Sequence, residues 1–76
     1  MNIRNEELIL AIGKRIRTIR LQKGLTMEQV SANAGIEYRQ VSDVELGKTN
    51  PTISTLYAIA SALEVKLSAL IELDNF

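Results

Sequence analysis

The chain has 76 residues, of which 46% are hydrophobic and 24% charged, with a formal net charge of zero. That length supports a single domain, 1–76, around one modest core. The absence of cysteine and histidine excludes disulfide staples, thiolate metal sites and histidine-based catalysis, so neither a metal nor another cofactor is expected and an enzyme is disfavoured.

Taken in chain order, Met1 to Arg4 have no pattern and are expected to fray. Asn5 is a good N-cap, and Glu6 and Glu7 suit the positive end of the helix that follows. Leu8, Ile12, Ile16 and Ile19 then recur at helical spacing, predicting a buried stripe on a helix that runs to about Lys23 and stops at Gly24. Gly13 falls inside this helix at a cost of roughly 1 kcal/mol against alanine. The residue type points to close approach by a neighbouring helix.

Thr26, Met27, Glu28 and Gln29 form a capping-box pattern in which the threonine hydroxyl accepts a backbone N–H while Gln29 reaches back. A second helix should start at Met27 and end near Ala34, where Gly35 can take the left-handed conformation. A third begins almost at once, with Val41 and Val44 on one face and Tyr38, Arg39, Ser42 and Asp43 around the other, and ends at Gly47. Two short helices joined by so tight a turn cross steeply and leave the outer face of the second free to enter a major groove.

The segment KTNPT is a loop by composition, with Asn50 held out of the helical region by Pro51. Thr52 can cap a fourth helix whose apolar face comprises Ile53, Leu56, Ile59, Ala60 and Leu63. Ser68 is expected to cap a short fifth helix, SALIEL. No apolar run is long enough to cross a bilayer and the N-terminus lacks a signal-peptide pattern, so a cytoplasmic location without a membrane partner is expected.

The pattern Arg20, Lys23, Gly24, Leu25, Thr26, Val30, Gly35, Ile36, Val41, Val44, Glu45, Gly47, Lys48, Asn50 and Pro51 resembles the lambda repressor and Cro class of regulators, the XRE family. The resemblance implies an all-α, compact five-helix lambda repressor-like DNA-binding domain with its helix-turn-helix over residues 26–46. It further implies an ion pair between Arg20 and Glu45, bridging the first helix to the end of the recognition helix. Phosphate contacts are implied at Thr26 and Met27 and at Lys48, Thr49 and Asn50. Two positions depart from the family pattern. Met27 stands where glutamine is common and cannot donate a side-chain hydrogen bond, and Glu37 stands where a Ser or Thr cap is common.

Tyr38, Arg39, Gln40 and Asp43 lie away from Val41 and Val44 and are the candidates for base edges. Arginine can donate bidentately to guanine, glutamine to adenine, and aspartate can accept from cytosine N4. Positive charge is polarised toward the first helix, since residues 1–23 carry Arg4, Lys14, Arg15, Arg17, Arg20 and Lys23 against Glu6 and Glu7, while the reading segment is slightly acidic. Weak non-specific binding is therefore expected.

The expected partner is an operator in double-stranded DNA, bound by a homodimer whose recognition helices lie about 34 Å apart. Leu73 and Phe76 are the candidate dimer surface, whereas Leu67 and Leu70 are expected in the core. The expected function is a sequence-specific DNA-binding transcriptional regulator, a repressor or autoregulator. The alternative is an antitoxin-like or adaptor module with weak DNA binding, supported by Met27, Glu37, Asp43 and the zero net charge.

Overall fold

The computed structural model describes residues 3–76; of the stretch expected to fray, Met1 and Asn2 lie outside the described residues. Arg4 departs from that expectation. Its guanidinium donates to the Lys48 carbonyl at 3.3 Å and pairs with Glu6, so the chain before the first helix is tied to the loop after the third.

Five helices follow in order: α1 (Glu6–Gln22), α2 (Met27–Ala34), α3 (Tyr38–Glu45), α4 (Ile53–Ala62) and α5 (Leu67–Leu70). No strand occurs among the described residues. Asn5 Oδ1 accepts the Leu8 N–H at 3.0 Å to open α1. The buried stripe of α1 runs through Ile9, Ile12, Ile16 and Ile19, while Leu8 is only half-buried. Ile9 was not in the expected stripe. A helix that packs against more than one neighbour buries a wide arc rather than a single line.

The core joins Ile12, Ile16 and Ile19 to Val30 of α2, Val41 and Val44 of α3, Leu56 and Ile59 of α4, Leu63 just beyond it, and Leu70 of α5. Gly13 lies where α1 meets α3: a Cβ built there would be 2.5 Å from the Val44 carbonyl oxygen and 2.7 Å from that of Glu45. Arg15 ties the opposite end of the fold together by donating to the Ala69 carbonyl at 2.9 Å, across 54 residues of sequence.

Three local expectations are corrected. Ile53 is the first residue of α4 and is 74% exposed, so its side chain lies outside the core that Leu56 and Ile59 enter. Ser68 does not cap the last helix. Lys66 occupies the N-cap without a side-chain hydrogen bond, and α5 is a single turn that puts Leu67 and Leu70, three residues apart, on the core side. Ile71 then leaves the helix and is exposed. Glu64 ends α4 in the left-handed region at φ 58°, and the Val65 N–H returns to the Ala60 carbonyl at 3.0 Å. A glycine is the commoner residue for that closure.

Candidate nucleic-acid interface

The geometry of the interface begins with the cap of α2. Thr26 Oγ1 accepts the Gln29 N–H at 3.1 Å and Gln29 Oε1 accepts the Thr26 N–H at 2.8 Å, so both halves of the capping box are made. The Thr26 side chain and amide are thereby committed to the helix. Met27 is half-buried against the core, which leaves its amide and that of Glu28 as the first-turn N–H groups with no intrahelical acceptor. An anion at this end would meet backbone donors and the positive end of the helix rather than a side chain.

Gly35 closes α2 at φ 71°, and only Gly35, Ile36 and Glu37 separate it from α3. Ile36 is packed against the core, pinning the turn. Within α3, Val41 and Val44 are buried almost completely, and this fixes the rotation of the helix. Tyr38, Arg39 and Gln40 are consequently exposed on the outer side. Glu37 occupies the N-cap of α3 without a side-chain hydrogen bond, so the first turn lacks the partner that a shorter polar residue supplies.

Asp43 differs from the other three candidates. Its side chain is about two-thirds covered, and Oδ2 lies 3.8 Å from Arg39 Nε one turn back along the helix. Because Arg39 is 88% exposed, the pair is screened by water and contributes little to stability. Gln40 and Asp43 line a shallow cleft of about 160 Å³ whose other wall includes Thr49, Asn50, Thr52 and Thr55. The cleft thus brings two of the base-edge candidates together with two of the phosphate candidates. Lys48 is exposed beside it, and its carbonyl is the atom that accepts from Arg4.

Behind this surface, Arg20 Nε donates to Glu45 Oε2 at 2.6 Å and Nη2 to Oε1 at 3.0 Å, while Nη1 donates to the Leu25 carbonyl at 2.8 Å. The two side chains are only 8% and 3% exposed. The fork joins the end of α1, the start of the α2 approach and the last residue of α3 in one contact. The hydrogen bonds that Arg20 donates to Glu45 hold the guanidinium pKa above the ordinary arginine value, against the opposing effect of burial. Its contribution is present below the unfolded-state pKa and is lost only as the pH rises through the folded value, so it does not titrate near neutrality.

Sequence reasoning missed Arg4 and Thr55. Nothing local marks Arg4, because its partner is 44 residues away. Thr52 was read as a cap, which it is, accepting the Thr55 N–H at 3.0 Å, but both threonines also face the cleft. Leu73 is half-buried against the chain's own core, so of the two expected dimer residues only Phe76 is exposed.

A compact all-helical domain with a capped α2, a three-residue turn and an outward α3 is a helix-turn-helix domain. The chain belongs to the helix-turn-helix family HTH_3, whose model matches residues 16–70. It is 43% identical over 54 residues to the uncharacterized HTH-type transcriptional regulator y4dJ of Sinorhizobium fredii, covering 71% of this chain and 70% of that one. It is 36% identical over 62 residues to the immunity repressor protein of Bacillus phage phi105, covering 82% of this chain but only 43% of the repressor. Among solved structures, the restriction-modification controller protein C.AhdI from Aeromonas hydrophila superposes with a TM-score of 0.79 at 29% identity, covering 82% of this chain and 94% of that one. The hypothetical transcription factor NHTF from Neisseria gives 0.82 at 26%, covering 96% and 85%. Among the described residues no helix is long and apolar enough to cross a membrane.

Proposed function

We propose that the chain is a sequence-specific DNA-binding transcriptional regulator, acting by occupancy of an operator as a repressor or autoregulator. The observation that carries this reading is the outward face of α3, where Arg39 and Gln40 stand exposed on a helix rotationally locked by Val41 and Val44. In this reading Tyr38, Arg39, Gln40 and Asp43 meet base edges in the major groove. The amides at the start of α2, with Lys48, Thr49 and Asn50 after α3, grip phosphates on either side. The roles named for the relatives, transcriptional regulator and immunity repressor, support the same assignment. Two copies would bind a two-fold symmetric site in the cytoplasm.

Selection of bound sequences from random DNA, followed by titration at two salt concentrations, tests the proposal. A preferred site and a steep fall of affinity with salt are expected. On that site Arg39→Ala should lose about 1 to 3 kcal/mol of discrimination, confined to one base pair in each half. A uniform loss at every position would move Arg39 to the phosphates.

The second reading is an adaptor with weak DNA binding, favoured by the uncapped Glu37 at the start of α3. Glu37→Ser separates the two. It should raise stability by about 0.5 to 1 kcal/mol through a new cap and, for a DNA reader, tighten binding by removing an anion near phosphate. A stabilised variant with unaltered DNA affinity would favour the adaptor.

A further inference from the structure

Lys48 is where α3 gives way to the loop, and both polar groups of its backbone are engaged. Its N–H donates to the Asp43 carbonyl at 2.9 Å, which closes α3, and its carbonyl accepts from Arg4 Nη2 at 3.3 Å. One residue earlier, Gly47 passes so close to α1 that a Cβ there would stand 2.5 Å from Leu10 Cδ2. The loop is thus held by Arg4 and Leu10, neither of which lines the cleft that its other residues wall. The Lys48 side chain is left exposed.

We infer that Arg4 is a positioning residue for DNA binding, holding the Lys48 backbone so that the Lys48 ammonium meets a phosphate, without touching DNA itself. The inference rests on the DNA reading proposed above and deepens it. A direct phosphate contact by Arg4 is disfavoured on two counts. Its guanidinium is already committed, Nε to Glu6 and Nη2 to the carbonyl, so its charge is paired with a carboxylate before any duplex arrives. Its side chain is also only 37% exposed, against 88% for Arg39 on the reading face.

The gain comes from preorganisation. A loop fixed in its bound shape loses less freedom on binding, and the saving appears as affinity. Arginine suits the task, because one planar fork serves Glu6 and the carbonyl together, whereas an ammonium is a single point. A contact this exposed adds little to global stability. Its effect is therefore local to the loop.

The test pairs a measurement without DNA with one on the selected operator, for the parent, Arg4→Ala, Arg4→Lys, Lys48→Ala and the double alanine variant. In the free protein, the Lys48 amide should exchange its hydrogen at least about threefold faster in Arg4→Ala, with the melting temperature unmoved. On the operator, Arg4→Ala should bind about three- to tenfold more weakly. That loss should shrink below about twofold where Lys48 is already alanine, because both changes remove the same phosphate contact. Arg4→Lys should follow alanine in both measurements. Additive losses would place Arg4 on a phosphate of its own, and full affinity with lysine would show that charge alone matters. Either result, or Lys48 exchange that stays unchanged, would overturn the proposal. Because the exchange arm needs no DNA, faster exchange with no selectable operator sinks the DNA reading and leaves the loop contact standing.

Discussion

Arg20→Ala is expected to lower stability by about 3 to 5 kcal/mol, because it leaves the Glu45 carboxylate buried without its partner. The guanidinium makes two hydrogen bonds to that carboxylate and a third to the Leu25 carbonyl, so three acceptors lose donors at once. A domain of this length holds only about 4 to 11 kcal/mol in total. The melting temperature should therefore fall by more than about 10 °C. Arg20→Lys should lie in between, since an ammonium carries the charge without the planar fork. The double change of Arg20→Met with Glu45→Leu should recover much of the loss, because the expense lies in an unpaired charge rather than in the missing attraction. Urea unfolding of the four proteins measures the series. An alanine variant within about 1 kcal/mol of the parent would show that water reaches Glu45.

Gly13→Ala should also destabilise, against the direction of helix propensity. Alanine gains about 1 kcal/mol over glycine in a helix interior. The new Cβ, however, would stand 2.5 and 2.7 Å from two carbonyl oxygens in the last turn of α3. Both are backbone atoms, so relief requires α1 and α3 to separate, and overpacking of this kind costs about 1 to 3 kcal/mol or more. Separation would in addition stretch the Arg20–Glu45 fork, which crosses the same gap. A net loss of about 2 kcal/mol in chemical denaturation is the expected result. A gain in stability would mean that the two helices sit further apart than this contact.

What could be read from the sequence was what local chemistry decides. Thr26 and Gln29 specify a cap within four residues, Gly35 supplies the left-handed closure, and Val41 with Val44 fixes which side of α3 faces out. The bidentate pair was available only through family resemblance, since nothing about Arg20 or Glu45 alone marks them as partners 25 residues apart. Contacts such as Arg15 to Ala69 and Arg4 to Lys48 join residues that share no local pattern, so periodicity is silent about them. Ser68 misled because a good capping residue lost to the demand that Leu67 and Leu70 share the buried side. Ile53 misled because spacing assigns a face but not how far along the helix that face stays covered. Asp43 was grouped with Arg39 and Gln40 by its place on the wheel. Its partial cover and its position beside Asn50 and Thr55 depend on how the loop after α3 folds back.

The side chains at 38, 39 and 40 point into solvent while their helix is anchored by two valines and a buried carboxylate. If Arg39 and Gln40 read the operator as proposed, changes of target preference at these two positions are uncoupled from folding, and both can be randomised with little penalty in melting temperature. On that reading the domain is a suitable chassis for retargeting, because the replaceable side chains and the anchoring ones sit on opposite sides of one helix.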